Sequence, residues 1–131
     1  MNCLFCKIIE GSIPSDTIYE DDKVKVFLDI NPTTNGDSLV VPKEHYQDFR
    51  NIPDELLVHI NMVIKKLYPI YQEKLGCDGL TISHNTDYGQ EIKHFHVHFI
   101  PRYQNDQVNH SSNKNILKDL KEIKETLTKK A

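Results

Sequence analysis

The chain has no apolar run long enough to cross a bilayer, which argues against a membrane-spanning protein. Its opening, MNCLFCKIIEGS, has no extended hydrophobic stretch, so no secretion signal is expected. There is no internal repeat and no low-complexity tract, which argues against a solenoid or a linker-rich architecture. Nor is there an excess of positive charge. The formal net charge is −3, which fits neither a nucleic-acid coat nor an anionic-membrane partner. Cysteine is scarce and odd in number, three in all, two of them spaced as Cys3-x-x-Cys6. That count does not build a disulfide framework and suits a reducing compartment, so a cytoplasmic protein is expected.

What is present fits one globular domain over residues 1–131. A chain of 131 residues buries a core without covalent staples. Residues 4–11 read as a short amphipathic helical turn closed by Gly11. TIYE (17–20) is a short strand. KVKVFLDI (23–30) alternates as a half-buried strand, with Val24, Val26 and Leu28 on one face and Lys25, Phe27 and Asp29 on the other. SLVVP (38–42) is a strand ended by Pro42.

Pro53-Asp54-Glu55 opens the main helix, and Leu56, Leu57, Ile60, Val63, Ile64 and Leu67 follow at helical spacing. Pro69 is expected to kink or break it. GLTISH (79–84) and HFHVHFIP (94–101) are strands, the second ended by Pro101. Residues 114–128 form a C-terminal amphipathic helix that extends the domain. Short connections favour antiparallel pairing. The expected class is α+β: an antiparallel sheet of about five strands, one main helix and a C-terminal helix.

HFHVHFIP carries three of the seven histidines at every second position. In a strand, residues two apart share a face, so His94, His96 and His98 project together while Phe95, Val97 and Phe99 anchor the opposite side. Imidazole serves as nucleophile, general acid or base, or metal ligand. The bland alternative is a solvated row on an exposed sheet face, which three histidines alternating with apolar residues make the weaker reading. Cys3-x-x-Cys6 is half of a metal pattern. A redox pair is the rival, but such pairs follow a strand, and none precedes Cys3. Cys77, His59, His84 and His110 have no evident chemical partners.

GQEIKHFHVHFIPR resembles the histidine-triad (HIT) family signature, His-φ-His-φ-His-φ-φ with φ apolar. CLFCKIIEGSIPS, YEDDKVKVFLDINP and LVVPKEHY resemble the other family blocks in the family's order, over roughly residues 3–103. The resemblance implies a nucleotide hydrolase or transferase that forms a homodimer with a continuous sheet. By it, His96 is the nucleophile on the α-phosphorus of a nucleoside phosphoramidate or related ester, and His98 and Gln90 assist the phosphoryl oxygens or leaving group. No metal is required for that chemistry.

Asp29 would hold the ribose hydroxyls. Leu4, Phe5, Ile8, Phe27 and Ile30 would sandwich a purine base, and Asn85 would contact ribose or phosphate. The rival reading of these apolar residues is ordinary core, and some serve both roles. Structural zinc would be held by Cys3, Cys6, His45 and His94, as in bacterial-type members. The rival functions are diadenosine polyphosphate hydrolysis, a purine-nucleotide sensor with little turnover, and a zinc-dependent structural adaptor. Glu91 departs from the family, standing where many members have serine or threonine. A carboxylate there would repel phosphate unless it turns away or is protonated.

Overall fold

The computed structural model describes residues 2–109 and 111–129; His110 lies outside the described residues. Five strands run in the order β1 (Thr17–Glu20), β2 (Val24–Leu28), β3 (Ser38–Pro42), β4 (Gly79–Ser83) and β5 (Val97–Arg102). They form one antiparallel sheet with spatial order β1-β2-β3-β5-β4. Helix α1 (Leu4–Glu10) precedes the sheet, α2 (Asp54–Leu75) joins β3 to β4, and α3 (Leu120–Thr128) follows β5. The α+β expectation therefore holds. No helix among the described residues is long and apolar enough to cross a membrane.

The pleat sorts the core into two layers. Val24, Val26, Val40, Phe95, Val97 and Phe99 pack with Ile60, Val63, Ile64, Leu67 and Tyr71 of α2. Phe27, Leu39 and Val41 pack with Cys3, Phe5 and Ile8. Each fully buried aliphatic or aromatic side chain contributes roughly 1.5–3 kcal/mol. The central strands are thus covered on both sides. β2 is not half-exposed, because α1 lies over the face that Phe27 presents, and Phe27 is buried.

Several boundaries differ from the sequence expectation; β2, for one, ends at Leu28, before Asp29 and Ile30. α2 continues through Pro69 as a single helix of 22 residues. The core grips it on both sides of the proline, at Ile64 and Leu67 before and Tyr71 after, which offsets the lost backbone hydrogen bond. β5 runs through Pro101 to Arg102. Pro101 lies past Phe99, the last β5 residue paired with β3, so its missing N–H removes no rung there. β5 also begins at Val97 rather than His94. β3 pairs β5 only as far as Val40–Val97, and beyond it the Phe95 amide donates to the Tyr46 carbonyl instead (2.7 Å).

The C-terminal segment is not one helix over 114–128. A 3-10 turn at Lys114–Ile116 is separated from α3 by residues 117–119, and the backbone of Leu117 is extended. The apolar stripe of Ile116, Leu117, Leu120, Ile123 and Leu127 is exposed throughout rather than packed on the domain.

Gly11 and Gly36 occupy left-handed backbone positions (φ +92° and +93°). Gly11 closes α1 through its amide to Ile8 and Lys7 carbonyls. At Gly36 a Cβ would also meet Leu75 Cδ1 at 2.5 Å, so no larger residue fits without movement.

The β1–β2 turn is fastened by Asp21. Its carboxylate accepts the Lys23 and Val24 amides (both 2.8 Å), the Tyr19 hydroxyl (2.8 Å) and His59 Nε2 of α2 (2.8 Å). His59 is thus a partner of this turn, which its place in the sequence did not reveal. Burial opposes the charge on Asp21, but these donors outweigh it and hold the carboxyl well below the ordinary range. A carboxyl depressed in the folded state stabilises it above the unfolded pKa, and the contribution is lost as pH falls below about 4. Asp21→Asn is therefore expected to lower the thermal midpoint at pH 7 and to flatten the stability loss on acidification below about 4. An unchanged acid slope in thermal melts of the variant would contradict the assignment.

Candidate active site

Two groups of side chains meet at His94. The first is Cys3, Cys6, His45 and His94, one ligand atom from each lying within 4.8 Å of the others. Cys3 caps α1, its sulfur accepting the Cys6 amide (3.4 Å), which brings both sulfurs to one side of the first turn. His45 follows β3, and His94 precedes β5. The Cys3 Sγ–His94 Nδ1 and Cys6 Sγ–His45 Nδ1 distances are both 3.4 Å, and Cys6 Sγ–His94 Nδ1 is 3.5 Å. The two Nδ1 atoms are 3.0 Å apart.

A tetrahedral ion with ordinary metal–nitrogen and metal–sulfur bonds sets its ligand atoms roughly 3.3–3.8 Å apart, so the cradle is close to the size such an ion needs. His94 Nε2 donates to the Pro42 carbonyl (2.8 Å), which fixes the tautomer and turns the Nδ1 lone pair toward the sulfurs. Burial, followed by the charges of His45 and His96, lowers the His94 pKa to about 4 against the pull of Pro42, so the ring is a neutral ligand near pH 7. Burial, then the neighbouring Cys3, raises the Cys6 thiol to about 11 in the metal-free protein. The residues fit a metal by donor type, spacing and orientation of His94.

The second group is the rest of the triad. The His94 backbone carbonyl accepts His96 Nδ1 at 2.9 Å, leaving Nε2 of His96 as its free nitrogen. His96 is 9% exposed, and burial lowers its pKa, so the ring is a neutral imidazole with one available lone pair. Phe5 of α1 stands edge-on to its ring, centroids 5.0 Å apart. His98 lies next along the row, its ring centroid 5.0 Å from that of His96. The triad is not a solvated row: His94 is wholly buried, and α1 covers that face.

His96 and His98 open into a cavity of about 620 Å³ between α1 and the sheet. Its apolar wall includes Leu4, Phe5, Ile8, Phe27 and Ile30; Asp29 and Asn85 lie on its polar side. The residues expected to hold the base and ribose, together with His96 and His98, therefore line one cavity. Glu91 lines it too, and its side chain is exposed.

Gln90 does not line the cavity. It is buried, and its Nε2 donates to the Gln47 (2.6 Å) and Ile92 (3.1 Å) carbonyls, holding the loop that carries Asn85 and Glu91. The same loop is clamped by Arg50, which bridges Asp48 (2.7 Å) and Asp87 (2.9 Å). Sequence reasoning missed this clamp, and it missed the wall formed by Ile13, Leu39 and Ile92. These residues come from separate loops and strands and share no periodic pattern. Cys77 is buried away from the cluster, in the α2 core. His84 stacks near Phe49 and Phe95.

A HIT domain model matches residues 10–105. A HIT-like protein of Methanocaldococcus jannaschii is 47% identical over 128 residues, which cover 93% of this chain and 98% of that protein. The adenosine 5'-monophosphoramidase of Saccharomyces cerevisiae is 37% identical over 100 residues, 76% of this chain and 62% of that protein. A zinc-bound histidine triad family protein from Mycobacterium smegmatis superposes with a TM-score of 0.79 at 33% identity, covering 87% of this chain and 84% of that one. The chain belongs to the HIT domain family.

The donor set predicts a spectroscopic result. Cobalt(II) added to metal-free protein is expected to give sulfur-to-metal charge-transfer bands of a tetrahedral Cys2His2 site, at one equivalent per chain. Cys6→Ser should weaken the bands and the binding by at least about tenfold. Cobalt spectra without thiolate bands would contradict a four-ligand metal site.

Proposed function

We propose that this HIT-family chain is a nucleotide hydrolase of the phosphoramidase type, cleaving a nucleoside 5'-phosphoramidate or related ester at the α-phosphate. One observation carries the reading. The Nδ1–H of buried His96 is spent on the His94 carbonyl, which leaves a neutral Nε2 lone pair for the cavity. A nucleophile whose tautomer is fixed by a backbone acceptor needs no reorganisation before attack.

In the first step the Nε2–phosphorus bond forms as the phosphorus–nitrogen bond breaks. The departing amine takes a proton, for which His98 is the donor at hand on the same face. In the second step water attacks the nucleotidyl-histidine, releasing the nucleoside monophosphate and restoring the imidazole. Phe5, Ile8 and Phe27 offer apolar surface to a purine, and Asp29 offers acceptor oxygens to the ribose hydroxyls. Gln90 belongs to this reading as a positioning residue for the 85–92 loop. The related yeast monophosphoramidase supports the substrate class.

Zinc is the metal this reading assigns to Cys3, Cys6, His45 and His94. Four protein ligands close its coordination, so its part is structural. A homodimer with a continuous sheet completes the proposal. Such a sheet needs an open edge, and β4 offers one, with Ile82 47% exposed.

A second reading has one observation in its favour. Glu91 brings a carboxylate to the cavity, which suits a nucleotide-binding sensor with slow turnover better than a fast enzyme. Incubation with adenosine 5'-phosphoramidate distinguishes the two. The hydrolase reading predicts AMP release that falls at least ~100-fold in His96→Ala. Tight AMP binding with equal, background release from both proteins would overturn it and favour the sensor.

A further inference from the structure

Asp37 is a buried ionisable group without a part in the reaction so far. It closes the loop before β3 and is 2% exposed. Its Oδ2 accepts the Thr33 amide (2.8 Å), while its Oδ1 is buried without a hydrogen-bond partner among the described residues. An acceptor removed from water and left unpaired is costly, so such an atom in a folded protein calls for a partner.

The register of the sheet brings His98 to it. Asp37 immediately precedes β3, and Leu39, two residues on, faces His98 across the β3–β5 ladder. Side chains two apart share a face, so Asp37 and His98 are diagonal neighbours on one side of the sheet. One polar side-chain atom from each of Asp29, Asp37 and His98 lies within 4.8 Å of the other two. The Asp29 amide donates to the Asp37 carbonyl (3.0 Å), which holds the two acids side by side.

The two acids differ in what else they face. Asp29 lines the cavity, where its oxygens are offered to the ribose hydroxyls; Asp37 is not part of that lining. A bound nucleoside therefore occupies Asp29 and leaves Asp37 to His98. Burial pushes the Asp37 carboxyl up; the Thr33 amide opposes this, the charge of Asp29 adds to the rise, and a positive charge on His98 reduces it. An imidazolium at His98 thus relieves the buried carboxylate.

The departing amine needs the same charge. A neutral ring that gave up its N–H would become an imidazolate, and the lining holds neither lysine nor arginine to stabilise one. The other groups around His98 do not supply the interaction. Asp16 and Glu91 are exposed carboxylates of the lining, Ser83 faces His98 from β4 and does not titrate, and buried His96 is neutral.

We propose that Asp37 is a positioning residue for His98, its buried carboxylate holding the ring as the imidazolium that protonates the leaving amine. This rests on the nucleotide-hydrolase reading above. In the first step the phosphorus–nitrogen bond breaks with its electron pair on nitrogen, which takes the proton from His98 and leaves that ring neutral. In the second step neutral His98 takes a proton from the attacking water as the Nε2–phosphorus bond breaks, and the imidazolium is restored. Asp37 keeps its charge throughout and touches no reacting atom.

Zinc-loaded protein labelled with carbon-13 and nitrogen-15 is measured first, without nucleotide. At neutral pH the ring nitrogen shifts of His98 report its imidazolium fraction, which Asp37→Asn is expected to lower at least ~threefold. The Asn keeps an acceptor for the Thr33 amide. The parent alone gives a second reading, since its Asp37 carboxyl carbon should report an ionised group at the same pH. An unchanged His98 in the variant, or a protonated Asp37 in the parent, overturns the proposal. Turnover is measured next. Asp37→Asn is expected to lower kcat for adenosine 5'-phosphoramidate at least ~tenfold with KM little changed. Cleavage of the p-nitrophenyl ester of AMP, whose leaving anion needs no proton, should stay within about twofold of the parent. Equal losses on both substrates would mark Asp37 as structural only and overturn its role. A parent that turns over neither substrate would overturn the hydrolase reading, while the ring shifts still decide whether Asp37 holds the charge on His98.

Discussion

The hydrogen bond from His96 Nδ1 to the His94 carbonyl, 2.9 Å long, is the contact on which the functional face depends. It decides which nitrogen of His96 is free and removes the rotational choice of the ring. The carbonyl that accepts it belongs to a residue whose side chain is fixed three times over: by the Pro42 carbonyl, by two cysteine sulfurs and by His45. His94 therefore ties two functions to one backbone segment. Its ring organises the Cys/His cluster, and its carbonyl orients the His96 ring. A shift in the cluster would move the carbonyl, and with it the lone pair that faces the cavity.

The same cluster explains how so short a helix can form a wall. α1 has seven residues, too few to be stable alone. It is held by Cys3 and Cys6 at its start and by burial of Phe5 and Ile8 against Phe27, Leu39 and Val41. Phe5 then meets the rings of both His94 and His96. The opposite wall depends on polar fastenings instead. Gln90 and the Asp48–Arg50–Asp87 bridge fix a loop that has no ladder to hold it. One side of the cavity is thus set by apolar packing around a metal-type cluster, and the other by hydrogen bonds and ion pairs.

Much of this was legible in the order of residues. Alternation in HFHVHFIP sorts the histidines from the core aromatics, because side chains two apart share a face whether or not the ladder reaches them. That is why the face assignment holds although β5 begins only at Val97. The Cys3-x-x-Cys6 spacing identified half of the cluster; the histidines from distant blocks came from family resemblance. Pro69 misled because a local rule ignores the core that grips α2 on both sides of it. The spacing from Ile116 to Leu127 misled in another way, since an amphipathic period reads through the extended break at Leu117 that splits the segment into a 3-10 turn and α3. Asp37 and the Arg50 clamp were invisible for a third reason. Their meaning lies in contacts between loops, which leave no period in the sequence.

In the proposed reaction, Nε2 of His96 is the atom that attacks phosphorus. The direct measurement is mass spectrometry of protein quenched in acid-free denaturant during turnover of adenosine 5'-phosphoramidate, followed by fragmentation of the peptide that contains the triad. One adenylyl group per modified chain, carried on His96, is expected. Turnover with the adenylyl group on His98, or on no histidine at all, would contradict it.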